Sequence, residues 1–129
     1  MQEQLKAVEK FHNAFNQKNG VAPRLLNDKE SELRYNLMNE ENQEYIEACR
    51  EDNLVEIADA LGDQLYILCG TILKHGMQHK IEDVFNEIQR SNMSKLGEDG
   101  KPILRDDGKI LKGPNYTPPN IFDIFNKHR

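Results

Sequence analysis

Nine carboxylates fall between Glu40 and Asp63, in the stretch NEENQEYIEACREDNLVEIADALGD, among enough Tyr, Ile, Ala and Leu to bury part of it. Two pairs have the spacing that chemistry would need: Glu41 with Glu44, and Glu56 with Asp59. Side chains three apart lie on one face of an α-helix, close enough to share or neighbour one ion. Four carboxylates converging in a groove cannot all be buried and ionised unless something positive neutralises them. Hard divalent cations do this with oxygen ligands, and Mg2+ favours a few carboxylates plus water and substrate phosphates. A single pair of this kind in an acidic chain is ordinarily a solvated helix face. Two pairs on consecutive helices, both in line with core or aromatic residues, make a metal site an equal competitor.

The elements that must position these acids are legible from periodicity. A long helix runs from an Asn27 cap, with Glu30 at capping-box spacing, to about Arg50. Leu33, Leu37, Glu41, Glu44 and Ala48 share one stripe of it, with Glu40 at the edge. The break "EDN" offers Asp52 or Asn53 as the next cap, and a third helix reaches about Lys74. Its apolar face is Leu54, Ile57, Leu61, Leu65, Leu68 and Ile72; Glu56, Asp59, Asp63, Tyr66 and Gly70 form a second, narrow stripe. The short break makes the two helices antiparallel neighbours, so that Glu41 and Glu44 can face Glu56 and Asp59. A first helix spans 2–18, with Gly20 as its stop, and a fourth begins near Lys80 after a left-handed Gly76. Beyond Leu96, Asp107-Gly108 between Ile103-Leu104 and Ile110-Leu111 predicts a hairpin turn. Pro114, Pro118 and Pro119 then bar regular structure, and "NIFDIFNKH" adds a last helical turn or two. The expectation is a single all-α domain over 1–129. A four-helix bundle core covers 1–96, and a C-terminal extension with a short β-hairpin covers 97–129.

Composition narrows the function classes. The net charge of −5 argues against a general attraction to nucleic acid or anionic membrane. No segment approaches the ~20 apolar residues of a membrane span, and the N-terminus lacks a signal-peptide core. Cys49 and Cys69 sit in helical patterns far from any CxxC, which reads as buried free thiols in a reducing cytosol. A cytoplasmic protein is expected. With 37% hydrophobic residues on a small helical chain, a homodimer or homotetramer would complete the core.

"EENQE" followed after a short gap by "EIAD" resembles the EExxE…ExxD signature of the all-α nucleoside triphosphate pyrophosphohydrolases. That superfamily includes MazG-like, phosphoribosyl-ATP pyrophosphohydrolase-like and dimeric dUTPase-like proteins. "LRYNLMNEE", "EIADALGDQLYILCGTILKHG" and the tail "RSNMSKLGEDGKPILRDDGKILKGPNYTPP" extend the resemblance over nearly the whole chain. It implies hydrolysis of a nucleoside triphosphate, or of a phosphoribosyl-nucleotide, between the α and β phosphates, with Mg2+ or Mn2+ required. By motif position Glu41, Glu44, Glu56 and Asp59 match the metal ligands. Glu40 matches a residue that ligates a further ion or orients water, and Glu40 or Glu44 is the candidate general base. Asp63, one turn after Asp59, is either an outer partner that orients Lys95 or a ligand, or a plain surface acid. Asn92, Lys95 and Lys112 are the candidate substrate contacts. Tyr66 and Tyr116 could stack on a base or belong to the core, and Arg34 could pair with the acids.

Two other classes compete. A carboxylate di-iron bundle needs two Glu-x-x-His motifs, and the chain has one, Glu9 to His12. His75, His79 and His128 read as capping or solvated. A non-catalytic helical oligomerisation module would use the acids only to balance charge at a subunit interface.

Overall fold

The computed structural model describes residues 1–126, so the expectation for His128 lies outside the described residues. The chain is all-helical: α1 (Gln2–Ala14), α2 (Asp28–Arg50), α3 (Leu54–Lys74), α4 (Ile81–Met93) and α5 (Ile121–Phe125). No strand occurs among the described residues. The backbone groups into two compact units, residues 1–79 and residues 80–129. No helix among the described residues is long and apolar enough to cross a membrane.

In the first unit α3 is the central element, with α1 and α2 both packed on it. Its core is Leu5 and Val8 of α1, Ala48 of α2, and Ala60, Cys69, Ile72 and Leu73 of α3. Full burial of a leucine such as Leu5 or Leu73 contributes ~1.5–3 kcal/mol. The α2–α3 turn is set by two residues. Asp52 takes a left-handed conformation, φ 53°. Asn53 donates its N–H to the Ala48 carbonyl at 3.0 Å, closing α2, while its side chain accepts from the Glu56 N–H at 3.1 Å, opening α3. Asn53→Ala should therefore lower stability by ~1 kcal/mol, and the melting temperature by several degrees, in a thermal unfolding scan. The Asn27 cap is formed likewise, accepting from Glu30 N–H at 2.8 Å.

Two turn residues behave differently from the sequence expectation. Helix α1 ends at Ala14 rather than near residue 18, because Asn16 turns the chain at φ 58°. Gly20 is thus not a helix stop. It allows a close backbone approach, since a Cβ there would stand 2.8 Å from the Gly76 Cα. Gly76 itself is left-handed, as expected, at φ 68°. The segment from Gly20 to Arg24 ties off the C-terminal end of α3. Gly20 N–H reaches Leu73 O, Arg24 N–H reaches His75 O and Arg24 Nε reaches Lys74 O, each at 2.8 Å. These bonds satisfy carbonyls that a helix end leaves unpaired, and the guanidinium suits the negative end of the helix dipole.

The second unit contains α4, α5 and the segment between them. Ser91 Oγ donates to Thr117 O at 2.9 Å, and Thr117 N–H donates to Ser94 Oγ at 3.0 Å, so the proline-rich tail is strapped to the end of α4. The expected hairpin is reduced to one antiparallel bridge, Leu104 with Ile110, around a left-handed Gly108. Ile103, Leu104 and Ile110 stay exposed, and a two-residue ladder with no face to bury does not grow into strands.

Candidate functional site

Two sets of bonds fix the antiparallel register of α2 on α3. Arg34 donates from Nε to Thr71 Oγ1 at 2.9 Å and from Nη2 to the Ile67 carbonyl at 2.8 Å. Gln64 Nε2 donates to Asn42 Oδ1 at 3.4 Å. Glu41 and Asp63 are the chain neighbours of that second pair, so the register brings them to the same level of the groove. Glu44, one turn along α2 from Glu41, completes a trio in which one oxygen from each carboxylate lies within 4.8 Å of the others. Among the described residues no other potential ligands converge as closely.

The electrostatics of the trio are those of an uncompensated site. Glu41 is half-buried, and its Oε2 is fully buried with no hydrogen-bond partner. Burial pushes its carboxyl up to about 7, helped by a hydrogen bond to Glu44 and by the charges of Glu44, Asp63 and Asp59. Two carboxyl groups can share a hydrogen bond only when one is protonated, and a cation held among them would compete with that proton. An orphaned buried oxygen and three converging carboxylates fit a hard divalent cation such as Mg2+.

Glu56 and Asp59 stand further toward the turn. With Glu44, Glu47, Ala48, Glu51 and Asn53 they line an open cleft of about 540 Å³. Asp59 is near enough to raise the Glu41 carboxyl, whereas Glu56 is not among the groups that do so. Asp63, which the sequence offers as an outer partner or a plain surface acid, is a member of the closest trio. Glu47 and Glu51 are exposed yet line the cleft. Their spacing from Glu44, at i+3 and i+7, was the available signal that they share its face. Glu40 is exposed and lies with Glu44 in a hollow of about 790 Å³ along α2.

The candidate substrate contacts belong to the second unit. Asn92, exposed in the last turn of α4, accepts the Lys95 N–H on its carbonyl at 3.1 Å. Gly113 packs against the Lys95 and Leu96 carbonyls, where a side chain would collide, and this holds Lys112 close to Lys95. The Lys112 ammonium sits 4.9 Å from the centre of the Tyr116 ring, a cation–π contact.

Other expectations need revision. Arg34 does not pair with the acids; its donors go to α3, two turns away. Its Nη2 and the His12 ring lie over Gly70, whose missing side chain makes room for both. His12 is buried, and its Nδ1 is 2.6 Å from Asn19 Oδ1. A histidine beside a guanidinium is a poor partner for a metal cation, which weakens the Glu9–His12 di-iron reading. His75, expected to cap or to be solvated, is the C-cap residue of α3, with Nδ1 2.9 Å from the Arg24 carbonyl. Cys69 is buried as expected, but Cys49 is only half-buried and hydrogen-bonds with Tyr45.

Comparison with known proteins bears on the family and the fold. The family model "Phosphoribosyl-ATP pyrophosphohydrolase" matches residues 8–92, well over half of the chain and all of α2 and α3. The chain belongs to that family, within the all-α NTP pyrophosphohydrolase-like superfamily. Among solved structures it is similar to a protein from Exiguobacterium sp. 255-15 described as a "putative NTP pyrophosphohydrolase". The TM-score is 0.52 at 22% identity, covering 94% of this chain and 92% of that one, a likeness of fold. No curated protein sequence is close enough to count as a match.

Proposed function

We propose that this member of the family is a Mg2+-dependent nucleotide pyrophosphohydrolase that cleaves between the α and β phosphates. The substrate is a nucleoside triphosphate or a phosphoribosyl-nucleotide, and the products are the monophosphate and pyrophosphate. The observation that carries the reading is the Glu41–Glu44–Asp63 trio, with a buried Glu41 oxygen that lacks a donor. Glu41, Glu44 and Asp63 would hold the cation, with Asp59 and Glu56 available from the adjoining cleft. When bound, Mg2+ or Mn2+ neutralises phosphoryl oxygens and acidifies the attacking water.

The side chains then divide the remaining work. Water adds to phosphorus at the α–β anhydride, the bridging P–O bond breaks, and pyrophosphate leaves. The proton lost by the water passes to Glu40, an exposed carboxylate next to the trio in the chain, or to Glu44, the exposed member of the trio. By the family resemblance alone, Asn92, Lys95 and Lys112 are proposed as substrate contacts. A homodimer or homotetramer is part of the proposal: Leu54, Leu61, Leu65 and Leu68 leave the apolar face of α3 exposed, as a surface for a second copy.

The test is pyrophosphate release from a panel of nucleoside triphosphates and phosphoribosyl-ATP. The expected result is turnover of at least one substrate with Mg2+ or Mn2+, and none with chelator. Absence of pyrophosphate from every substrate at saturating Mg2+ would remove the hydrolase reading.

A further inference from the structure

The stripe of α3 that carries Asp59 and Asp63 does not end with the acids. One turn beyond Asp63 comes Tyr66, and its ring meets Phe11 of α1 edge-on, centroids 5.7 Å apart at 81°. Phe11 in turn packs on Phe15, the C-cap residue of α1, at 4.5 Å. This trio is not core. Phe11 is 42% exposed, Phe15 62% and Tyr66 42%. Nor is it a continuation of the apolar leucine face. At ~100° per residue, Tyr66 lies about 60° from Asp63 around α3, but about 100° from Leu65. Tyr66, on which Phe11 packs, therefore lies nearer the acid stripe of α3 than its leucine face.

We propose that Phe11, Phe15 and Tyr66 are the stacking platform for the nucleobase of the substrate, an inference that rests on the hydrolase reading. The rise from Asp63 to Tyr66 is ~4.5 Å along the helix axis, so an anion-handling end and a planar apolar end adjoin on one side of the first unit. That order, charge then aromatic surface, is the order of phosphate, sugar and base in a nucleotide. Stacking accepts any base, because every base has a π-face. The platform supplies affinity for a base without reading its edge. It makes Phe11, Phe15 and Tyr66 determinants of KM, not of the chemical step.

The experiment compares Tyr66→Leu and Phe15→Ala with the ring-preserving Tyr66→Phe. Hydrolysis of ATP, dUTP and base-free tripolyphosphate is followed in each. Loss of a ring should raise KM for the nucleotides about ten-fold, with kcat and tripolyphosphate kinetics little changed. Tyr66→Phe should keep the wild-type KM. A second readout does not need turnover. The adenine H2 and H8 resonances of α,β-methylene-ATP, added with Mg2+, should move upfield on wild type and Tyr66→Phe. They should move far less on the combined Tyr66→Leu, Phe15→Ala protein. Unchanged KM and unchanged adenine shifts in that protein overturn the platform. So does a change in particle mass with the shifts intact, which would mean that the rings cover a second copy. If wild type hydrolyses nothing yet the ring-dependent shifts appear, the platform stands and the hydrolase reading falls. Turnover without ring-dependent shifts keeps the hydrolase and removes the platform.

Discussion

Replacing Glu41 by Gln should abolish most activity while making the metal-free protein more stable. The two effects come from one cause. Glu41 holds a carboxyl in a half-buried position facing Glu44 and Asp63, and its Oε2 finds no donor. Without a cation that arrangement costs stability, through desolvation and through like charges brought together. The amide keeps the shape, removes the charge and brings two N–H donors that Glu44 and Asp63 can accept. The same change removes a ligand. Loss of an outer partner of a metal site already costs about 10–100-fold in metal affinity or activity, and an inner carboxylate should cost at least as much. Pyrophosphate release and thermal unfolding in chelator, on the same preparation, separate the two readings. A purely structural Glu41 would lose stability on substitution and leave activity per folded molecule unchanged, which would sink the site assignment. Melting temperature rising as turnover collapses is the signature of a group kept for function at the expense of stability.

How far the sequence foretold this site can be judged from individual residues. Asn27, Asn53 and Gly76 carry their signals in their own chemistry, as two side-chain acceptors and one tolerant backbone, and each acts as its type suggests. Gly20 does not, because its role depends on Gly76, more than fifty positions away in the chain. The acids lie between these cases. Their types and i, i+3 spacing announce a cation site, but motif spacing alone pairs Glu41 and Glu44 with Glu56 and Asp59. Reflection of α2 onto α3 through a turn centred on Asp52 instead sets Glu41 opposite Asp63 and Gln64. The Asn42–Gln64 bond shows that register directly. The turn length was in the sequence, so this placement was legible in principle. The aromatic trio was less so: a period of 3.6 says that Phe11, Phe15 and Tyr66 share faces with apolar neighbours, and nothing about what covers them.

Mg2+ should stabilise the protein strongly near pH 7.5 and weakly near pH 5. The reason lies in Glu41, raised from the ordinary 4.5 to about 7 by burial, by its hydrogen bond to Glu44 and by the acids around it. Below about pH 4.5 this carboxyl is protonated in both folded and unfolded chains and contributes nothing to pH dependence. Between about 4.5 and about 7 the unfolded chain has released the proton while the folded one retains it. Folding then takes up a proton, and metal-free stability falls as pH rises through that window, levelling off above it. A cation competes with the same proton, so its affinity climbs over the same range and its binding releases the proton. At a concentration about 100-fold above its Kd the ion adds about 2.7 kcal/mol, roughly 10 °C in melting temperature for a domain of this size. Thermal scans with Mg2+ and with chelator at pH 5 and 7.5 measure the difference. Glu41→Gln isolates it from the chain's other carboxylates, because an amide cannot titrate. In that variant the fall of metal-free stability from pH 5 to 7.5 should flatten and the Mg2+ increment should shrink at both pH values. An increment that is equal at the two pH values in wild type would place the ion elsewhere. A slope that survives in Glu41→Gln would move the titrating group to another acid of the cleft, and with it the centre of the site.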